Sequence, residues 1–342
     1  MRFSFESMKE CCVIAEISAN HGQDIDRAIA MIKKAKECGA DAVKFQCYTP
    51  DTLTIDCSNK HFMIEHPQWG GQSLYALYKK AYTPWEWFGR LKKAADKLGI
   101  VFFATAFDRT SVDFLEKLDV PFHKIASFEL VDLPLIEYAA KTKKPLIMST
   151  GMATLSEIKE AVDVAGKAGA REIILLKCVS SYPARPEEMN LRTMPDLKAR
   201  FNVRVGLSDH TMGSAVAVAA VALGACVVEK HFTLSRQGGS PDSFFSIEPQ
   251  DLKSLVIDMR MAERSLGKIH YGLTPDQEKS RVFRRSLFVV KDVKKGERFT
   301  DENIRSIRPS NGDKPGNIKK ILGKAARKNV KKGTPVTAGL YA

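Results

Sequence analysis

Between Val13 and Phe232 eight short apolar runs recur, each separated from the next by a helix-sized segment. They are VIAEIS (13–18), DAVKFQ (41–46), VFFATAF (101–107), FHKIAS (122–127), LIMST (146–150), IILLKCV (173–179), VRVGLSD (203–209) and CVVEKHF (226–232). A strand, a helix and a second strand form a βαβ unit whose strands run parallel. Eight such repeats predict an α/β fold closed as a (β/α)8 TIM barrel rather than an open doubly wound sheet. No G-x-G-x-x-G follows the first run, which argues against a dinucleotide fold. The intervals read as a helix from Asp24 to Cys38, a long irregular segment from Cys47 to Thr83, a helix opened by Pro84, one capped by Thr154 with Glu157 three residues on, and one at about 249–266.

The length of 342 residues suits a barrel of about 250 plus an appendage. We expect a catalytic barrel over 1–268, a polar linker over 269–284 and a small, mostly β domain over 285–342, where SLFVV and two K-K-G turns replace helical patterning. The net charge of +13 is concentrated there. Residues 281–342 hold 17 Lys plus Arg against five Asp plus Glu, or +12, leaving +1 for the rest. A basic tail raises nucleic acid as a partner. This one has evenly dispersed charge, few aromatics and no recognisable binding motif, so a basic lid over an anionic substrate, or a solvated surface, fits better. Seven scattered cysteines without a C-x-x-C pair read as reduced thiols. MRFSFESMKECC lacks an apolar leader and no run approaches about 18 apolar residues, so we expect a soluble, cytoplasmic protein that engages no membrane.

In such a barrel the chemistry sits at the C-terminal strand ends. Those ends carry Glu16 with Asn20 and His21; Lys44 and Gln46; Thr105; Lys124 and Ser127; Ser149 and Thr150; Lys177, Ser180 and Tyr182; Ser208, Asp209 and His210; Glu229 and His231. Lone charges are costly to bury. Lys44 and Lys124 at one mouth therefore call for an anionic ligand, unless Glu16 or Glu229 pairs with them. Ser127, Ser149 and Ser208 suit phosphate or carboxylate oxygens, and Gly151 lets backbone N–H groups approach. A single strand-end histidine is more often structural. His210 and His231 on adjacent strands, beside Asp209 and Glu229, point instead to a shared divalent ion. His21 is a candidate third polar group; His123 should face away from the mouth. An anion cradle beside a metal suggests carbonyl chemistry.

The strings AEISANH, GADAVKFQ, HKIAS, STGMAT, KCVSSYP, GLSDHT and VEKHF, in that order, resemble the sialic acid synthase family. SLFVVKDVKKGE, IRPSNGD and LGKAARKNVKKG resemble that family's antifreeze-like (SAF) domain. The resemblance implies a condensation of phosphoenolpyruvate with an open-chain amino-sugar aldehyde. By position, Lys44, Thr105, Lys124, Ser127, Ser149 and Ser208 would bind phosphoenolpyruvate, with Tyr182 nearby. His210 and His231 would hold Mn²⁺ (or Mg²⁺ or Co²⁺), and Glu16 and Glu229 would orient the sugar or move protons. Arg308 would enter from the second subunit of a domain-swapped homodimer.

Within the family, the N-acetylneuraminate branch carries Asn where this chain has Ser180, and KIGSGE where it has KIASFE. AEISANH, YTPDTLT, KIASFE, KCVSSYP and RVFRRSLF resemble the branch that makes pseudaminic acid from 2,4-diacetamido-2,4,6-trideoxy-L-altrose. Ala126 and Phe128 fit a more apolar pocket. The alternatives are N-acetylneuraminate or legionaminate synthesis by the same chemistry and, from another class, a non-catalytic sugar- or nucleic-acid-binding protein.

Overall fold

A computed structural model describes Phe5 and residues 8–342. Half of the stretch expected to lack an apolar leader, residues 1–4, 6 and 7, lies outside the described residues. Eight parallel strands close into a barrel in sequence order: β1 Cys12–Glu16, β2 Ala42–Cys47, β3 Val101–Ala106, β4 His123–Ile125, β5 Leu146–Ser149, β6 Ile173–Cys178, β7 Arg204–Asp209 and β8 Val227–His231. Each is buried nearly throughout, as a parallel sheet covered by helices requires. Val13, Ile14, Phe45, Phe103, Leu175 and Val228 are wholly buried in one continuous core.

Local chemistry sets the helix ends. Asp24 accepts from the backbone N–H groups of Asp26 and Arg27 and caps the helix Ile25–Glu37. Thr154 and Glu157 close a capping box on Leu155–Ala168. Two expectations need correcting. Pro84 does not open an α-helix directly; a 3₁₀ turn, Trp85–Trp87, precedes the helix Phe88–Leu98. The segment 47–83 is not irregular throughout, because it holds a helix, Leu74–Ala81, capped by Ser73.

The chain divides into two compact units, the first ending at Gly267 and the second spanning Lys268–Ala342. The polar stretch expected as a separate linker belongs to the second unit and contains the helix Pro275–Ser280. This unit pairs β9 Ser286–Val289 with antiparallel β10 Ile304–Ile307 over a small core of Leu287, Val289, Phe299 and Ile304. No helix of the described residues is long and apolar enough to cross a membrane. All seven cysteines are free.

Candidate active site

Parallel register brings the strand-end charges together. Glu16 lies opposite Lys44, Gln46 opposite Thr105, and Ser208 opposite Glu229. Lys44 Nζ is 2.8 Å from Glu16 Oε2 and 3.5 Å from Glu229 Oε1, and donates to Thr105 Oγ1 at 2.8 Å. Lys124 is equally buried, yet donates only to neutral partners, Ser149 Oγ and the Ile125 carbonyl, each at 2.8 Å. Among the described residues no carboxylate lies within ion-pair distance of it. Of the two readings of the buried lysines, pairing with Glu16 and Glu229 holds for Lys44, whereas Lys124 has no such pairing.

Electrostatics follow from this. Burial lowers the Lys124 ammonium below its ordinary value. Burial would lower Lys44 too, but Glu16 and Glu229 reverse the shift and raise it. Burial, aided by Glu229, pushes the Glu16 carboxyl up against the pull of Lys44. Glu229 is also raised by burial, but Lys44 and Lys124 outweigh that and hold it below the usual range. Gln46 fixes Glu16, donating to Oε1 at 2.9 Å.

Across the mouth, Ser127 and Ser180 hydroxyls are 2.8 Å apart. Gly151, at φ 42°, is required here: a Cβ would come within 2.3 Å of Ser127 Cβ. His210 and His231 rings lie 5.3 Å apart between centroids. His210 Nδ1 pairs with the Val179 carbonyl at 2.7 Å, which leaves Nε2 as the free lone pair once that bond fixes the tautomer. His231 Nδ1 is buried without a partner, and burial keeps the ring well below its ordinary value, in the neutral form a metal needs. For His210 burial acts in the same direction, but the Cys178 sulfur and the Val179 carbonyl raise it. Two spare imidazole nitrogens on adjacent strands fit a shared divalent ion. Among the described residues no cluster of three or more His, Cys, Asp or Glu accompanies them, so other positions would fall to water or substrate.

Glu16, Lys44, Thr105, Lys124, Ser127, Ser149, Tyr182, Ser208, His210, Glu229 and His231 all line one cavity of about 420 Å³. Ser180 stands just behind it, through Ser127. Other candidates lie elsewhere. His21 is not a third mouth group: its Nε2 bonds Thr83 Oγ1 at 3.0 Å, its Nδ1 accepts from the Gln23 N–H, and burial lowers it to about 4. Asp209 is consumed by Lys230 at 2.6 Å. His123 faces Glu116, 2.9 Å away. Lys177 turns to the Cys178 carbonyl at 3.0 Å. Arg308 is exposed just beyond β10 in the second unit.

Two carboxylates went unnoticed in the sequence. Glu129 lines the cavity with a bare Oε2, and burial raises it to about 7. It follows Ser127 by two residues, so a longer view past the end of β4 would have found it. Asp242 also lines the cavity, accepting a short hydrogen bond from Ser18. It sits in a loop with no periodicity to betray it.

Residues 31–271 match the NeuB family and 284–341 the SAF domain. A pseudaminic acid synthase from Helicobacter pylori is 44% identical over 95% of this chain and 96% of its own length. Another from Campylobacter jejuni (serotype O:2) is 43% identical over 98% of both chains. In three dimensions, an N-acetylneuraminic acid synthetase from Leptospira borgpetersenii, solved with citrate, superposes with a TM-score of 0.72 at 32% identity, covering 82% of this chain and 95% of that one. The chain belongs to the NeuB family of enzymes, those of the sialic acid synthase type, and ends in a SAF domain.

Proposed function

We propose that this enzyme is a C–C bond-forming transferase that condenses phosphoenolpyruvate with 2,4-diacetamido-2,4,6-trideoxy-L-altrose and water, giving pseudaminic acid and phosphate. The observation that carries this reading is Lys124, a buried cation without a carboxylate, facing two carboxylates and two spare imidazoles across one cavity. The choice of sugar rests on the named activity of the relatives and on Ala126 and Phe128 at the rim.

Lys124, with Ser127 and Ser149, holds the phosphate and carboxylate of phosphoenolpyruvate; charge-assisted bonds in a dry site are the strong ones. Thr105, Ser180, Tyr182 and Ser208 complete that side. C3 attacks the aldehyde carbon, whose oxygen takes up a proton. Water adds at the C2 cation and gives up one proton; the resulting C2 hydroxyl loses its remaining proton to the leaving phosphate, which departs with its bridging oxygen and leaves the 2-keto group. Glu16 and Glu229, fixed by Lys44 and Gln46, orient the sugar and carry these protons. A divalent ion on His210 and His231, Mn²⁺ by this reading, would polarise a carbonyl oxygen. Arg308 would close the site from the second unit of a partner chain. Holding both reactants in one geometry supplies much of the acceleration.

The test supplies phosphoenolpyruvate labelled with ¹⁸O at the bridging position and follows phosphate release. Release only with the trideoxy sugar, with the label in phosphate, supports the reading. Turnover confined to N-acetylmannosamine, or label kept in the keto acid, sinks it.

A further inference from the structure

The cavity has two unlike sides. Its charged groups come from the strand ends and from the loops after β4 and β8. The insert between β2 and β3 contributes Ile64, Trp69 and one stripe of the helix Leu74–Ala81, namely Leu74, Leu77, Tyr78 and Ala81. Those four stand at i, i+3, i+4 and i+7, the spacing of a single helical face. Such a face is normally packed into a core. None of this helix's residues is buried, and the stripe lines the cavity instead. The far face carries exposed Lys79 and Lys80.

Trp69 ties the insert to the rest of the site. Its indole N–H donates to the Pro241 carbonyl at 2.8 Å, so the donor is spent, and its ring packs 5.9 Å from Tyr182. What this side offers a ligand is apolar surface and two phenols, Tyr48 and Tyr78. A substrate hydroxyl brought against Leu77 would lose water and gain no partner, whereas a methyl would gain buried area.

Building on the function proposed above, we infer that the helix Leu74–Ala81, with Ile64 and Trp69, is a specificity wall. It selects an open-chain amino sugar whose end remote from the aldehyde bears methyl groups, as a deoxy carbon or an N-acetyl, over a sugar that presents hydroxyls there. The occupant of this helical face is the sugar, because the face is continuous with the cavity that holds the reacting groups.

The test compares kcat/KM for the trideoxy sugar with that for N-acetylmannosamine in the full chain and in Leu77→Ser, Leu74→Ser and Leu77→Met. The wild type should favour the trideoxy sugar. Each serine variant should cut that preference about tenfold, the order expected when one apolar contact decides, while Leu77→Met retains it. A ratio of two sugars on one preparation is insensitive to the folded fraction. Serine variants that lose both activities in parallel, preference intact, would overturn the wall and leave the function standing. A wild type that favours N-acetylmannosamine would overturn both.

Discussion

Glu129 shows what a residue's surroundings do that its identity does not reveal. Its carboxyl is raised to about 7 because it is largely buried, with Lys124 only partly relieving the cost. The folded chain thus holds a proton that the unfolded chain releases near its ordinary value of 4.5. Stability is therefore lost as pH rises from about 4.5 to about 7, and the loss is complete above that. Glu129→Gln stays neutral throughout. Its Tm should match the wild type at the acid end and exceed it increasingly toward neutrality; a difference that does not vary with pH would refute the assignment. Lys44, Lys124, Glu16 and Glu229 were legible in the sequence because ionised residues inside apolar strands demand an explanation. Which lysine is paired was not, since that depends on register across three strands. Asp209 and His21 misled for the same reason: Lys230 and Thr83, the partners that consume them, come from other elements.

At the scale of elements, alternation alone revealed the eight strands, even β4 with three residues, because helix-sized intervals framed each one. The helix Leu74–Ala81 escaped notice because it lies in an insert with Gly70, Gly71 and Pro67, where turn residues mask a stripe only two turns long. The pairing of β7 with β8 bears most directly on the histidines. At Gly206 a Cβ would approach the Val227 carbonyl to 2.4 Å and Leu176 Cδ2 to 2.7 Å. Gly206→Ala should force the two strands apart and cost about 1–3 kcal/mol, as overpacking does. Because His210 and His231 lie at the far ends of these strands, Mn²⁺ affinity by calorimetric titration should fall with stability. Unchanged Mn²⁺ binding in this variant would argue against a shared ion there.

On the scale of the molecule, the charge split visible in the sequence follows the division into two units, with +12 of the +13 lying in residues 281–342. The proposed domain-swapped dimer gives one of those charges, Arg308, a task that a single chain cannot reveal. Lys124→Ala should abolish turnover by removing the anion's cation, and Arg308→Ala should abolish it by removing the partner's contribution. If the arginine acts in trans, a mixed dimer of the two variants holds one intact site, the barrel of the Arg308→Ala chain facing the arginine of the Lys124→Ala chain. Its other site carries both lesions. By the symmetry of a two-chain assembly, denaturing and refolding an equal mixture should restore about one quarter of wild-type activity. If the arginine acts on its own barrel, each site in the mixed dimer has one lesion and nothing returns. Sedimentation of the mixture distinguishes failed exchange from failed rescue, so a mixed dimer formed without activity would end the trans assignment.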